Sequence, residues 1–375
     1  MKNAYWLFFG AVLLFGSGQP ATAETPPRYR LTLLPLDFQT YDEMNYMPLG
    51  GVRINNAGQI VGETTVRSGK FSDPRVALWQ RGHRIKILDK TPLVSHKNDG
   101  NSFTYTSSTG LNTLGWAIGG NYYTFTGAYS GRQFKAFLWK GNGVKEITDF
   151  PADCDGMAYG INAQGWVVGS YIYNKQMPTA EDPQPPPIAA GSHAFLFRNG
   201  RVIPLWRGIA RGINTRGQIV GTLDSGGDDT RGDKGVLWRR GHVTLLKMQP
   251  AAINERGEIA GNIPGTEDND KACVWKRGHL TLLSKRVSHA YALNSRGEIV
   301  GEQANRAMPH TIHAVLWRRG QAYDLNRCVP LPHGWLLERA LGINDKEQII
   351  GEGGVYPSAN AREPKTHFTF LLTPG

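Results

Sequence analysis

The chain has 375 residues, a formal charge of +11, 46 glycines, 10 tryptophans and only three cysteines. Abundant Gly, Val, Ile, Thr and aromatic residues favour strands and tight turns and exclude a protein built on long helices. The positive balance suits anionic partners such as acidic glycans, membrane headgroups or nucleic acid, or serves colloidal solubility alone.

Residues 1–23 read as a bacterial export signal. Lys2 precedes the apolar run Tyr5 to Phe15, and Ala21-Thr22-Ala23 forms a small-residue cleavage site. Cleavage removes Lys2 and no acidic residue, so the mature chain, residues 24–375, keeps a charge of +10. No cysteine follows the site to carry a lipid, and no later apolar run approaches the roughly 20 residues that span a bilayer. The expected location is secreted or periplasmic. An odd cysteine count leaves at least one of Cys154, Cys273 and Cys328 unpaired, with a Cys154–Cys328 disulfide open.

From residue 54 onward one motif recurs: INNAGQIVG, LNTLGWAIG, INAQGWVVG, INTRGQIVG, INERGEIAG, LNSRGEIVG and INDKEQIIG, seven copies in all. Their asparagines, Asn55, Asn112, Asn162, Asn214, Asn254, Asn294 and Asn344, stand 40 to 57 residues apart, the period of a four-stranded propeller blade. Each copy ends one strand and starts a second. A third follows with an aromatic in one equivalent place (Trp79, Trp139, Phe197, Trp238, Trp275, Trp317, Phe370), and a Gly turn leads to a fourth. The seventh repeat stops before its fourth strand, whereas Tyr29 to Leu36 near the N-terminus, YRLTLLPL, matches the missing one. The expectation is therefore all-β: one seven-bladed β-propeller of four-stranded antiparallel blades, from about Arg28 to the C-terminus, whose last blade is completed by the N-terminal strand. Such closure removes open edges.

With His193-Ala194-Phe195 in the third repeat and near matches at Lys135-Ala136-Phe137 and His313-Ala314-Val315, the chain resembles the HAF-repeat family of probable extracellular proteins. The resemblance implies export and repetition but no reaction.

Residues present in every repeat read as architecture. Each Asn should hydrogen-bond within its own turn, with Gly58, Gly165 and Gly217 supplying positive φ, so that Glu347 in place of Gly predicts a looser seventh hairpin. The repeated aromatics should pack neighbouring blades together.

Function is sought where the copies differ. The Asn turns and the turns after the third-strand aromatics should share one face. That face carries Arg216, Arg239, Arg240, Arg256, Lys276, Arg277, Arg296, Arg318 and Arg319, suited to carboxylate, sulfate or phosphate, or merely solvating hairpin tips. The opposite face carries long segments with Tyr122, Tyr123, Phe125, Tyr129, Tyr171 and Tyr173, either gripping a glycan or peptide or packing their own loops.

No catalytic motif, zinc spacing or complete calcium loop is present, so no cofactor, metal or catalytic residue is assigned. The acidic runs Asp153 to Gly156, Asp224 to Asp233 and Thr266 to Lys271 offer oxygen ligands without a recognised spacing. The reading is an exported, monomeric, non-catalytic binding or scaffold module for an anionic polysaccharide or an envelope protein, with nucleic acid not favoured. The alternative is a glycan-processing hydrolase or lyase at the axial mouth. It calls for converging carboxylates, or a His and Arg cluster, with Asp155, Asp228, Asp229, Asp268 and Asp270 as first candidates.

Overall fold

The computed structural model describes residues 25–34, 51–68, 71–80, 86–88, 103–125, 131–141, 143–151, 154–173, 191–224, 234–265, 269–305, 311–358 and 364–375. Residues 1–23, read above as an export signal, and Tyr129 lie outside them. Strand β1 (Tyr29–Leu34) opens the chain. Repeat 1 forms β2 (Arg53–Ile54), β3 (Ile60–Ser68), β4 (Phe71–Trp79) and β5 (Lys86–Ile87). Repeat 2 forms β6 (Phe103–Leu111), β7 (Ala117–Phe125), β8 (Gly131–Lys140) and β9 (Gly143–Ile147). Repeat 3 forms β10 (Cys154–Ile161), β11 (Val167–Tyr173) and β12 (His193–Arg198) and enters β13 (Arg201–Ile213), which continues into β14 (Ile219–Leu223), β15 (Lys234–Arg239) and β16 (His242–Leu246) of repeat 4. Repeat 5 gives β17 (Gln249–Ile253), β18 (Ile259–Ile263), β19 (Lys271–Lys276) and β20 (His279–Leu282). Repeat 6 gives β21 (Ser288–Leu293), β22 (Ile299–Ala304), β23 (Ile312–Arg318) and β24 (Gln321–Asp324); repeat 7 gives β25 (Trp335–Ile343), β26 (Ile349–Val355) and β27 (Thr366–Pro374).

The fold is all-β, with no α-helix among the described residues, and arranges small antiparallel meanders as a β-propeller. β1 pairs with β27, so one sheet takes strands from both ends of the chain in the order β1-β27-β26-β25. The expected count of seven separate four-stranded sheets is corrected: five are separate, and the strands from β10 to β16 form one seven-stranded sheet. The cause is local. Between Arg201 and Ile213 the chain runs as one unbroken strand, pairing with β12 as far as Arg207 and with β14 from Gly208.

Central strands read as apolar runs because neighbouring sheets cover both their faces. Hydrophobic clusters sit at the junctions of consecutive repeats, as where Val61, Val76 and Leu88 of repeat 1 meet Ala117, Phe137 and Trp139 of repeat 2. The repeated aromatics lie there, each against the preceding repeat, as Phe197 on repeat 2 and Trp317 on repeat 5. Repeat 7 departs from the expected equivalence, because the register sets Leu372, not Phe370, opposite the motif isoleucine Ile349, and both pack on repeat 6.

The first strands contact one another around the ring, so they form its inner wall. A bulge interrupts most of them, between Ala210 and Gly212 in β13 for example. There the last glycine of the motif is required by close approach: a Cβ on Gly221 would stand 1.9 Å from the Ile209 carbonyl oxygen.

The motif asparagines do more than hold their turns. In repeat 4, Asn214 Oδ1 accepts from the backbone N–H of Arg216 (3.1 Å) and Gln218 (3.0 Å), while its Nδ2 donates to the backbone carbonyl of Asn254 in the next repeat (3.1 Å). The same inter-repeat bond runs from Asn55 to Asn112, Asn112 to Asn162, Asn162 to Asn214, Asn254 to Asn294 and Asn294 to Asn344. Asn344 then donates to Asn55 at 3.0 Å and closes the circle. The seventh hairpin is not looser: Glu347 adopts φ 58° and donates its N–H to Asn344 O at 3.1 Å, as the glycines do in their turns.

Candidate functional site

Both sets of basic residues meet on one face. Lys276, entering the β19–β20 hairpin, reaches Glu258 beside the Asn254 turn at 3.4 Å, and Arg318, entering the β23–β24 hairpin, reaches Glu347 at 3.4 Å. Glu258 also takes Arg256 at 2.8 Å, and Arg296 pairs with Glu298 at 2.9 Å and Glu347 at 2.8 Å. Arg256, Lys276, Arg296 and Arg318 are thus partly neutralised. Carboxylates set one position past the glycine turns were not weighed from sequence, although the GE in INERGEIAG and LNSRGEIVG signals them.

Arg216, Arg239, Arg240 and Arg277 have no ion pair among those described, and each is exposed, as is Arg319. The two-residue tips Arg240-Gly241, Arg277-Gly278 and Arg319-Gly320 join strands whose register requires positive φ at both positions. The three arginines adopt φ of 47°, 48° and 47°. Such tips favour Asn-Gly, which is what repeat 3 uses at Asn199-Gly200, with φ of 54° at Asn199. In repeats 2 and 3 the cation before the tip lies on an aromatic instead: Lys140 over Trp116 at 4.0 Å and Arg198 over Trp166 at 4.3 Å.

Of the aromatic residues expected in loops of the opposite face, the described ones lie in strands. Tyr122, Tyr123 and Phe125 belong to β7, and Tyr171 and Tyr173 to β11, because both strands run further than the motif suggests. Tyr171 is buried and packs against Phe150 and His193.

A polar cluster occupies the inner wall in repeats 5 to 7. His289 and Arg339 each stand five residues before their motif asparagine, roughly 16 Å along the strand from the asparagine circle at about 3.3 Å per residue. His289 Nδ1 lies 2.9 Å from Glu302 Oε1, and its Nε2 lies 3.4 Å from Asp270 Oδ2. Arg339 donates to Glu302 at 2.8 Å and to Glu352 at 3.0 Å. Glu302 and Glu352 are buried, and Glu352 Oε2 is a buried oxygen without a hydrogen-bond partner among the described residues. Burial acts to raise the Glu302 carboxyl, but hydrogen bonds from His289 and the charge of Arg339 hold it below its usual range. Burial wins at Glu352 and raises it. The hydrogen bond to Glu302 lifts His289 above its ordinary value despite burial, with Asp270 adding to the effect.

Of the carboxylates expected at the axis, Asp270 joins this cluster. Asp155 is buried in β10, and Asp228, Asp229 and Asp268 lie outside the described residues. Glu302, Glu352, His289 and Arg339 were missed from sequence; the visible signal is Glu after the last glycine in IVGE and IIGE. The histidine gives a pH test. Its folded pKa is raised, so its contribution to stability is complete below the unfolded value of about 6.5 and is lost as pH rises through the folded one. The urea midpoint difference between wild type and His289→Gln is expected to be large near pH 5.5 and to shrink by pH 9, and an equal difference at both would remove the charged pair from the account.

No disulfide links Cys154, Cys273 or Cys328 among the described residues, so the Cys154–Cys328 pairing is not formed. Burial pushes the Cys273 thiol up to about 12 and that of Cys328 to about 11. Among the described residues no His, Cys, Asp and Glu group is arranged to hold a metal, and no helix is long and apolar enough to cross a membrane.

No family model matches the chain, and no curated protein matches its sequence. Solved structures are similar in shape. The acylaminoacyl peptidase of Pyrococcus horikoshii is 11% identical with a TM-score of 0.50, over 82% of this chain and 49% of the peptidase. The β-propeller domain of the Trilobed protease from Pyrococcus furiosus is 10% identical with a TM-score of 0.49, over 86% and 92%. TolB from Acinetobacter baumannii is 11% identical with a TM-score of 0.38, over 85% and 64%. This chain spans about half the length of the peptidase, and at such identity the likeness extends to the fold alone: a propeller module.

Proposed function

We propose that the protein is an exported, non-catalytic propeller of the HAF-repeat kind that binds an anionic surface or polymer through the hairpin tips of repeats 4 to 6. The seven-stranded sheet counts as two units sharing β13 in this reading, giving seven around the ring; the closed circle of seven asparagines supports it. The observation that carries the binding role is the left-handed arginine at Arg240, Arg277 and Arg319. A non-glycine residue there costs about 1 kcal/mol, least for Asn, so three arginines retained where Asn would relax the turn point to a use for the guanidinium.

The test is retention of the mature protein on a heparin-type resin at low salt, with affinity falling steeply as salt rises. Replacing Arg240 and Arg277 by Asn is expected to weaken retention, so that the variant elutes at lower salt, while raising stability by up to about 1 kcal/mol per site. Failure of the wild type to bind the resin sinks the proposal.

The glycan-processing reading draws on one observation, the convergence of His289, Glu302, Arg339 and Glu352 on the inner wall. Opposite displacement of two neighbouring carboxyls is the pattern of an acid and base pair. It requires new reducing ends or unsaturated products from acidic polysaccharide, lost in His289→Gln, and an inert wild type removes it.

A further inference from the structure

We infer that the anionic partner of the basic hairpin face is a phospholipid surface, which the protein grips with an apolar cleft between repeats 3 and 4 as well as with arginines. This rests on the reading of the arginine tips as anion contacts. Ile203 of β13 and Val243 and Leu245 of β16 are 42%, 47% and 53% exposed. Scattered exposed apolar residues carry no meaning; these three converge. Ile203 lies opposite Leu196, Val243 opposite Trp238 and Leu245 opposite Val236. Directly paired residues share a sheet face. Leu196, Trp238 and Val236 all pack in the cluster at the junction of repeats 3 and 4, so the exposed three extend that cluster outward from both walls of one cleft.

The cleft is flanked by cations. Exposed Arg201 starts β13, exposed Arg239 and Arg240 stand at the tip before β16, and exposed Lys247 follows its end. A soluble polyanion could satisfy the charges but would leave the apolar side chains in water. A bilayer of anionic lipid answers both, placing phosphates against guanidinium groups and the apolar side chains below the headgroup plane.

The test compares flotation with vesicles of phosphatidylcholine and phosphatidylglycerol, in equal parts, against phosphatidylcholine alone, alongside heparin-resin retention. Wild type is expected to bind the anionic vesicles and the resin but not the neutral vesicles. Val243→Thr with Leu245→Thr, both strand-compatible at exposed positions, is expected to lose about tenfold or more in vesicle affinity and keep its resin retention. Arg240→Asn with Arg277→Asn is expected to weaken both, by about fivefold per arginine on vesicles. Resin binding without vesicle binding, or vesicle binding unchanged by the Thr pair, overturns the lipid inference while leaving the anion reading standing. Binding to neither overturns both.

Discussion

Deleting Tyr29 to Leu34 is expected to leave a chain that no longer yields soluble folded protein, as read by circular dichroism and size exclusion. The six residues pair along β27 from Pro374 to Thr369. Tyr29 is buried at the junction of repeats 6 and 7, and Leu34 at that of repeats 7 and 1. Without them two apolar clusters open and β27 becomes an unprotected edge, which invites association. Point variants separate the contributions. Tyr29→Ala should cost about 3 to 5 kcal/mol, in the range for a buried aromatic. Tyr29→Phe should be neutral or slightly stabilising, because the Tyr29 hydroxyl is buried without a hydrogen-bond partner among the described residues. If deletion leaves a cooperatively folding monomer, closure by the N-terminal strand contributes little.

Asn344→Ala is expected to be nearly as damaging, about 3 kcal/mol or more by urea denaturation. It strips the acceptor from the backbone N–H of Lys346 and Gln348 and the donors from Asn55 O and the Gln348 side chain. The buried groups left unpaired cost about 1 to 3 kcal/mol each before relaxation. Asn56→Ala provides the contrast. Asn56 also bridges repeats 7 and 1, bonding Asp345 at 2.6 Å, but in an exposed setting, and should cost about 0.5 kcal/mol or less. Asn214→Ala, away from the closure, should match Asn344→Ala. A clearly smaller effect at Asn344 would mean that the circle is not closed in solution.

The propeller was legible because it repeats. A motif copied at blade spacing exposes strand order, turn position and the interface aromatic without any long-range information. The missing fourth strand of repeat 7 and its match at Tyr29 to Leu36 pointed to the β1–β27 pairing for the same reason. Sheet count was not legible: RVIPLWRGIARGI carries no signal for whether the strand breaks at the repeat boundary, and it does not. Nor could Tyr122 and Tyr171 be assigned to strands, since the motif marks where strands begin but not how far they run.

By itself the sequence determined which residues are architecture and which vary, and it placed the basic residues on shared hairpins. Turn geometry, apolar runs and glycine positions are local properties, set within a few residues. Only the tertiary structure decided which charges remain available. Glu258 and Glu298, two residues past Arg256 and Arg296, are legible locally, but the pairing of Glu347 with Arg296 and Arg318 and of Lys276 with Glu258 joins separate turns, while Arg216 has no ion pair among those described. It alone joined the motif asparagines across repeats, and it alone brought His289, Glu302, Arg339 and Glu352 together from two repeats. The reason is geometric: side chains of successive repeats become neighbours only when their sheets stand side by side, and that proximity is what sets pairing, burial and charge.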